Sequence, residues 1–283
     1  MIGVRVGWAT RGAGKAGRRR YDRSRIGVGV KNPATQTALG PMIIVAVDQH
    51  ENPPLVQDEL AYQILPARGK IAIIAAKWLP LRRLLIGATE RKIPGLWASM
   101  LCRKRYIDEQ LQAADSQIDA AVILGAGFDT RAYRLPLLAA TPVYEVDLPT
   151  NINRKRTRLT RLYGEIPANV TLVPIDLETQ DLADVLADHG YRPGWPTFFV
   201  WEAVTQYLTE AGVRKTFDFL AAAAPGSRLV FTYVRKDFLD RTALYGGESA
   251  YQEFVVKRQL WHFGMDPNHV VAQWISWIAL VRR

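Results

Sequence analysis

Residues 120–131, with the sequence AAVILGAGFDTR, are an apolar run that leads into a loop containing two glycines. An unbroken apolar run of five residues is typical of a strand that is buried on both faces of a parallel sheet. Similar runs follow at 142–146, 170–174, 198–201 and 228–234, and helix-sized segments separate them. This alternation predicts an α/β fold with a doubly wound, Rossmann-like sheet.

The region before this sheet has a helical pattern. Between Asp58 and Gln112 the apolar residues recur at helical spacing, and no strand pattern occurs. We expect a short helix near residues 60–65, a second that is ended by Pro80, and a third that starts after Gly95. We therefore predict a disordered basic tail at residues 1–34 and a single domain at 35–283. The domain consists of a helical cap (35–118) and an α/β core (119–283).

The positive charge of the chain is concentrated in the tail. Residues 1–34 contain nine Lys or Arg and one Asp, so they carry eight of the ten net positive charges. The remaining core is close to neutral and has no basic stripe with interleaved aromatic residues, so we expect no nucleic-acid partner. Cys102 is the single cysteine, which excludes a disulfide framework and a cysteine-based zinc site. We expect no metal site.

No segment has the length and apolarity of a membrane span. The run from Val270 to Val281 has 12 residues, whereas a transmembrane helix needs about 20. The first 30 residues also lack the apolar core of a secretory signal. We therefore expect a cytoplasmic protein with no membrane partner.

Ligands of open parallel sheets bind beyond the carboxyl ends of the strands, so the residues after each apolar run are the candidate site. Gly125 and Gly127 follow the first run and would let the backbone turn tightly against a ligand. A nicotinamide-binding loop has a third glycine, and Thr130 occupies that position here. The loop therefore favours a nucleoside over a pyrophosphate.

Acidic residues follow the next three runs. Asp147 lies 20 residues after Gly127, the offset at which a carboxylate holds ribose hydroxyls, although it could instead cap the helix near Pro149. Asp176 and Leu177 could bind and pack on an adenine, or Asp176 could cap a helix at 179–189. Glu202 follows four apolar residues and needs a cationic partner if it is buried.

That partner of Glu202 would be either a positive group on a ligand or an arginine such as Arg103 or Arg131. One glycine loop and three acids suit a ligand that combines an adenosine with a positive centre. S-adenosyl-L-methionine has both features, and we predict it as the cofactor.

Several motifs, in order along residues 37–265, resemble those of the leucine carboxyl methyltransferase family, and of its bacterial branch of S-adenosylmethionine-dependent methyltransferases in particular. The stretches that carry the resemblance are LGAGFDTR (124–131), YRL (133–135), EVDLP (145–149), PIDL (174–177), Glu202 with Tyr207-Leu208, and ERKIP (90–94) followed by Arg103. The resemblance implies a class I methyltransferase sheet.

The resemblance also implies roles for single residues. Arg103 would hold the methionine carboxylate of the cofactor, with Arg105 as a competitor for that role, and Gly125 would line the cofactor. Asp147 would hold the ribose, Asp176 and Leu177 would flank the adenine, and Glu202 would lie beside the amino-acid end.

The sequence does not identify the methyl acceptor. A carboxylate of a small molecule or peptide needs no general base, whereas a hydroxyl does, and His50 is the histidine that we would place near a substrate. A solvated loop position for His50 is the alternative, and no catalytic residue is assigned. Two rival functions remain: a non-catalytic nucleoside-binding α/β protein, and an NAD-dependent dehydrogenase, which Thr130 disfavours.

The end of the chain departs from the family. Relatives continue from the fifth strand into an antiparallel strand pair, but Tyr251–Phe263 and Asp266–Val281 have the pattern of helices here. We therefore expect a five-stranded sheet without the strand pair. The strand at 228–234 would then be an exposed edge, open to self-association.

Overall fold

The structure is a computed structural model that describes residues 39–114, 117–266 and 276–282. In these residues a single sheet is built from six strands. The order across the sheet is β3-β2-β1-β4-β5-β6, and the first five strands are parallel. The strands are β1 (Ala120–Leu124), β2 (Val143–Asp147), β3 (Val170–Pro174), β4 (Thr197–Trp201), β5 (Arg228–Val234) and β6 (Ser276–Arg282).

The strand order reverses at β1, which pairs with β2 on one side and β4 on the other. This switch point is the place where open α/β sheets bind ligands. The predicted doubly wound α/β fold is therefore confirmed. The tail predicted at residues 1–34 lies outside the described residues.

Helices precede the sheet and connect its strands. From residue 39 onward, five lie before β1: α1 (Leu39–Asp48), α2 (Leu60–Ile64), α3 (Ala67–Ala75), α4 (Leu79–Glu90) and α5 (Leu96–Gln112). The others are α6 (Arg131–Arg134), α7 (Pro149–Tyr163), α8 (Leu182–Asp188), α9 (Glu210–Ala221), α10 (Lys236–Leu239) and α11 (Glu248–Ala250), with π-helical turns at Tyr251–Lys257 and 3₁₀ turns at Pro136–Leu138 and Thr205–Tyr207.

Each face of the sheet has its own apolar core. In β1, Ala121 and Ile123 pack with the helices before the sheet, whereas Val122 and Leu124 pack with α8 and α9. The alternation follows from the period of two in strand side chains. Because both faces are covered, the apolar runs of the sequence are continuous rather than alternating.

The prediction for the C-terminal end is wrong. Residues 276–282 form strand β6, antiparallel to β5, in place of the helix predicted through Val281. The sheet therefore has six strands rather than five, and the edge of β5 that we expected to be exposed is paired along its whole length. The physical reason is that an open strand edge offers unpaired backbone groups, and an apolar run of ambiguous period can satisfy them as a strand.

Two helix predictions also need correction. Pro80 lies in the first turn of α4 instead of ending a helix, a position where its missing N–H costs nothing. Helix α1 lies within the helical cap predicted at 35–118, although no separate helix was predicted there. The helix expected at 251–263 is replaced by the π-helical turns of 251–257 and an irregular segment through residue 264.

Within the described residues, no helix combines the length and the apolarity needed to cross a membrane.

Candidate functional site

The loop after β1 adopts a conformation that requires glycine. Gly125 and Gly127 have φ values of 71° and 45°, in the left-handed region. A Cβ atom on Gly125 would lie 2.1 Å from Cγ2 of Val204, in the loop after β4. Gly125 N–H also donates to the carbonyl of Val146 at 2.7 Å, which ties the loop to the end of β2.

Asp147 connects the glycine loop to helix α7. Its Oδ2 accepts from the Gly127 N–H at 2.7 Å, and its Oδ1 accepts from Leu148 N–H at 2.6 Å and Asn151 Nδ2 at 2.8 Å. Burial raises the pKa of Asp147, while these hydrogen bonds act in the opposite direction. The N-cap of α7 is Leu148, without a side-chain cap bond, so Asp147 does not cap the helix as the alternative proposed. Its carboxylate contacts the glycine loop instead, at the position that the ribose hypothesis requires.

Asp176 and Leu177 follow β3 as expected, but Asp176 does not cap the next helix. Its Oδ1 accepts from the Glu178 N–H at 3.0 Å, within its own turn. The N-cap of α8 is Asp181, whose side chain accepts from Ala183 N–H and Asp184 N–H. Leu177 is buried in the core on the α8 and α9 side of the sheet. Asp176 therefore does not cap α8, which was the alternative to a role in adenine binding.

Glu202 is held by arginines at the end of β4. Its Oε1 accepts from Arg103 Nε at 2.8 Å and its Oε2 from Arg131 Nη1 at 2.8 Å, with Lys104 Nζ at 3.6 Å. Burial alone would raise the pKa of Glu202, but Lys104, Arg131 and Arg103 outweigh burial and hold it well below its ordinary value. Both carboxylate oxygens are therefore engaged by protein cations, which is the arginine alternative considered from the sequence.

Arg103 reaches the carboxyl ends of the strands although it lies on α5, outside the sheet. Glu202, its partner, follows the last residue of β4, which pairs with the last residue of β1. The far end of its guanidinium, Nη2, contacts the sulfur of Met100 at 3.0 Å, which is a weak acceptor. Arg105 is exposed instead and pairs with Glu109 one turn along α5 at 2.8 Å. Of the two arginines, Arg103 is the one that faces the site.

Arg131, at the start of α6, is the fully buried centre of a larger charge network. It bonds to Asp108 at 2.7 Å, to Glu202, and to Asp129 of the glycine loop. Arg134 extends the network through Asp108 at 2.6 Å to Asp58 at 3.5 Å. The network contains four cations and four carboxylates from the region before β1, the glycine loop, α6 and the loop after β4: Asp58, Arg103, Lys104, Asp108, Asp129, Arg131, Arg134 and Glu202.

A second buried ion pair contacts the glycine loop. Lys155 of α7 and Glu145 of β2 are both fully buried, 2.7 Å apart. Lys155 Nζ also donates to the carbonyl of Asp129 at 2.7 Å, and Tyr133 donates to the other oxygen of Glu145 at 2.6 Å. Burial raises the pKa of Glu145, against the influence of Lys155 and Tyr133. The glycine loop is thus fixed from two sides by buried charges.

His50 does not occupy the position of a general base. Its ring Nε2 lies 3.1 Å from the carbonyl of Ile73, and its own carbonyl accepts from Arg82 at 3.0 Å. These contacts join α1, α3 and α4, so His50 serves the packing of the helical region. His262 was passed over in the sequence. Its backbone N–H donates to the carbonyl of Gln206, in the loop after β4, at 2.7 Å, and burial lowers its pKa.

The depressed pKa of Glu202 predicts a particular pH dependence of stability. Glu202→Gln should lower the free energy of unfolding by about 3–5 kcal/mol at pH 7, because it leaves buried cations unpaired. A carboxyl with a lowered folded pKa contributes stability above its unfolded pKa and loses it as pH falls through the folded value. The difference between wild type and variant should therefore be constant between pH 7 and 5 and narrow below the ordinary value of 4.5.

Urea titrations at several pH values measure this difference, and Glu109→Gln, which removes the exposed partner of Arg105, is the matched control with no expected pH dependence. A difference that already shrinks between pH 7 and 5 would contradict the assigned ion pairing of Glu202.

The residues at this edge of the sheet have the chemistry that S-adenosyl-L-methionine needs. Gly125 and Gly127 hold the turn beyond β1 at positive φ, and Val204 packs against Gly125 where a side chain would otherwise be. Arg103 is a buried guanidinium whose Nη2 has only a sulfur partner, suited to a carboxylate. Asp147 supplies carboxylate oxygens, each of which can accept more than one hydrogen bond. No group of three or more metal-ligating side chains occurs in the part of the chain that the structure describes.

Comparison with known proteins agrees with this fold. The family model described as leucine carboxyl methyltransferase matches residues 38–221. A protein of Mycobacterium avium (strain 104) is 40% identical over 148 residues, which are 52% of this chain and 48% of the relative. One of Mycolicibacterium paratuberculosis (strain ATCC BAA-968 / K-10) is 32% identical over 231 residues, 80% of each. Both are classed by name among S-adenosyl-L-methionine-dependent methyltransferases.

The chain thus spans about half the length of the first relative and four fifths of the second. The crystal structure of a protein from Thermobifida fusca YX, described as a methyltransferase, has a TM-score of 0.52 at 14% identity. It covers 90% of this chain and 99% of its own, which shows a shared fold. The family match takes in well over half of the residues, and the chain belongs to the leucine carboxyl methyltransferase family.

Proposed function

We propose that this protein binds S-adenosyl-L-methionine and transfers its methyl group to an oxygen of a small molecule or peptide. The observation that carries the proposal is the convergence of Gly125, Asp147, Asp176 and Glu202 at the carboxyl ends of four adjacent strands, at the switch point of the sheet. Family membership supports the same activity. A nicotinamide-dependent dehydrogenase or a non-catalytic nucleoside binder has no comparable support.

Each residue has a separate task in this proposal. Asp147 accepts hydrogen bonds from ribose hydroxyls, Asp176 bonds to the adenine amino group, and Leu177 packs on the adenine ring. Arg103 donates to the carboxylate of the amino-acid end. The cofactor supplies a methyl group on a positively charged sulfur. Glu202 then acts as a positioning residue, because its carboxylate is already paired with Arg103 and Arg131 and so fixes the direction of Arg103.

A carboxylate is the acceptor that fits this site best. It is ionised at neutral pH, so the protein needs to orient it and to exclude water but needs no base. Two histidines of the described region are already bonded to main-chain carbonyls: His50 to Ile73 and His189 to Val185. With a carboxylate acceptor, the site therefore needs groups that orient the substrate but no general base.

A hydroxyl acceptor is the second candidate, and His262 is the reason to keep it. A hydroxyl needs a base, and an imidazole whose pKa is lowered by burial is neutral at pH 7 and can accept a proton. His262 is also next to the loop that follows β4.

The two acceptors are separated by the lability of the product. Radiolabelled methyl groups from the cofactor are transferred to a panel of carboxylic acids and alcohols, and the products are treated with alkali. A methyl ester releases volatile methanol under alkali, whereas a methyl ether does not. We expect volatile label and unchanged turnover for His262→Ala. Stable label together with loss of turnover in His262→Ala would establish the hydroxyl alternative, and no transfer to either class would contradict the proposed function.

Replacement of Asp147 by alanine should weaken binding of S-adenosyl-L-methionine by about 1–3 kcal/mol, because it removes charge-assisted hydrogen bonds to the ribose. Titration calorimetry well below the melting temperature measures the effect. Asn151→Ala is the matched control, since it removes one of the three bonds to Asp147 while keeping the carboxylate. Equal affinity in wild type and Asp147→Ala would refute the ribose assignment, and tighter binding of NADH than of S-adenosyl-L-methionine would refute the cofactor.

A further inference from the structure

An exposed apolar surface lies on helices α3 and α4, among the helices before the sheet. Nine large apolar side chains are exposed in the described parts of the chain, and six of them fall within 14 residues. Ile71 is 72% exposed, Trp78 67% and Leu84 62%. We call the six side chains the 71–84 surface: Ile71, Ile74, Trp78, Leu79, Leu81 and Leu84. A concentration of this kind marks an interaction site more often than single exposed apolar residues do.

The orientation of α4 is set by its inner face. Arg82 is buried and donates to the carbonyl of His50 at 3.0 Å, with Glu51 2.9 Å from its Nε. Leu85 and Ile86 pack against the core on the same side. Because the inner face is fixed by these contacts, Leu84 on the opposite face stays in solvent, and Leu81 lies at the edge between the two faces. The exposure of Leu84 is a property of the packed helix.

The charges around the 71–84 surface are of one sign. Residues 60–89 contain five Lys or Arg and no Asp or Glu. Lys77 and Arg83 are exposed beside the apolar side chains. Of the carboxylates that flank this span, Glu51 pairs with Arg82 and Glu90 accepts from the N–H groups of Gly95 and Trp97 at 2.6 and 2.9 Å, whereas Glu59 is exposed. The segment that carries the surface therefore has a net positive charge.

The positive charge of the 71–84 segment indicates which kind of partner can bind this surface. A second copy of the chain would bring two positive surfaces together, and like charges in contact are costly. The tail at 1–34 carries a net charge of +8 and so lacks the complementary charge. A complementary occupant is both apolar and negatively charged. Trp at the boundary of an apolar patch, with Lys and Arg beside it, is the composition of a helix that lies in a lipid interface.

We propose that the 71–84 surface docks the protein onto the surface of an anionic lipid bilayer, with the apolar side chains inserted among the acyl chains and Lys77 and Arg83 at the headgroups. The sequence-based expectation of no membrane partner rested on the lack of a spanning segment, and peripheral docking needs none.

The experiment is flotation of the full-length chain with vesicles. The vesicles are either phosphatidylcholine alone or a mixture with phosphatidylglycerol, at about 0.15 M salt, where surface charges are partly screened. The double variant Ile71→Ser/Leu84→Ser keeps every charge, including those of the tail, and changes only exposed positions. Val256→Ser, which alters an exposed apolar residue away from the surface, is the matched control.

We expect the wild type and Val256→Ser to float with the anionic vesicles, and the double variant to partition at least about tenfold more weakly, because it loses the inserted apolar groups. Flotation of the double variant equal to that of the wild type would overturn the proposal, since the tail would then account for binding. So would equal binding to both kinds of vesicle, or no flotation of the wild type.

Discussion

Replacement of Arg131 by methionine is expected to lower the free energy of unfolding by about 3–5 kcal/mol, the range observed when one partner of a buried ion pair is removed. Arg131 is fully buried and is bonded to Asp108, Asp129 and Glu202. The carboxylate of Asp129 is affected most. Burial raises its pKa, and Arg131 has the largest effect among the cations that bring the pKa below its ordinary value. Urea unfolding followed by circular dichroism measures the loss.

The matched control is Arg105→Met, which removes an exposed arginine from α5 and should leave stability unchanged. A second variant separates charge from packing. In the Arg131→Met background, Asp129→Asn should recover part of the lost stability, since it removes the carboxylate left without its main partner. A loss for Arg131→Met that is no larger than that for Arg105→Met would show that the network does not stabilise the fold.

Replacement of Gly125 by alanine is expected to cost about 2–5 kcal/mol of stability and to abolish cofactor binding. Two effects combine. A non-glycine residue at positive φ costs about 1–2 kcal/mol, and forcing a methyl group into a packed site costs about 1–3 kcal/mol. The methyl group would lie 2.1 Å from Cγ2 of Val204, so either the glycine loop or the loop after β4 must move. Thermal and urea unfolding together with calorimetry measure both consequences.

Two variants isolate these effects. Gly164→Ala places alanine at a φ of 83° with no heavy atom within 4 Å, so only the backbone cost applies. The double variant Gly125→Ala/Val204→Ala removes the clashing methyl group and should restore the packing part but not the backbone part. If Gly125→Ala behaved like Gly164→Ala in stability and bound the cofactor normally, the close approach of the two loops would be disproved.

The parallel part of the fold could be predicted because its sequence signals are local. Strands β1, β3 and β5 begin and end where their apolar runs do. Helix α7 starts at Pro149, where a helix was expected, because a proline in the first turn marks the start of a helix. By contrast, β6 owes its conformation to the open edge of β5, a distant part of the chain. A short apolar run such as 274–281 does not reveal which partner it will meet.

The candidate site was predictable in its acids, and Arg103 and Arg131 were named as possible partners of Glu202, but Lys104, Arg134 and Lys155 were not predicted. Asp147, Asp176 and Glu202 each follow an apolar run, and that position is visible in the sequence. The pairing of Glu202 with Arg103 joins residues 99 positions apart, which spacing alone does not indicate. Lys155 was missed although a signal existed. It shares the buried face of α7 with Ile152 and Leu159, at helical spacing, and a lysine on an apolar face needs a buried partner.

The most direct test of the proposed function is a crystal structure of the chain with S-adenosylhomocysteine, the product that remains after methyl transfer. We expect the ribose hydroxyls within hydrogen-bond distance of Asp147, the adenine beside Asp176 and Leu177, and the carboxylate on Arg103, with the bond between Arg103 and Glu202 kept. A nucleoside bound away from the carboxyl ends of β1, β2 and β3, or a carboxylate that does not contact Arg103, would contradict the site proposed for this methyltransferase.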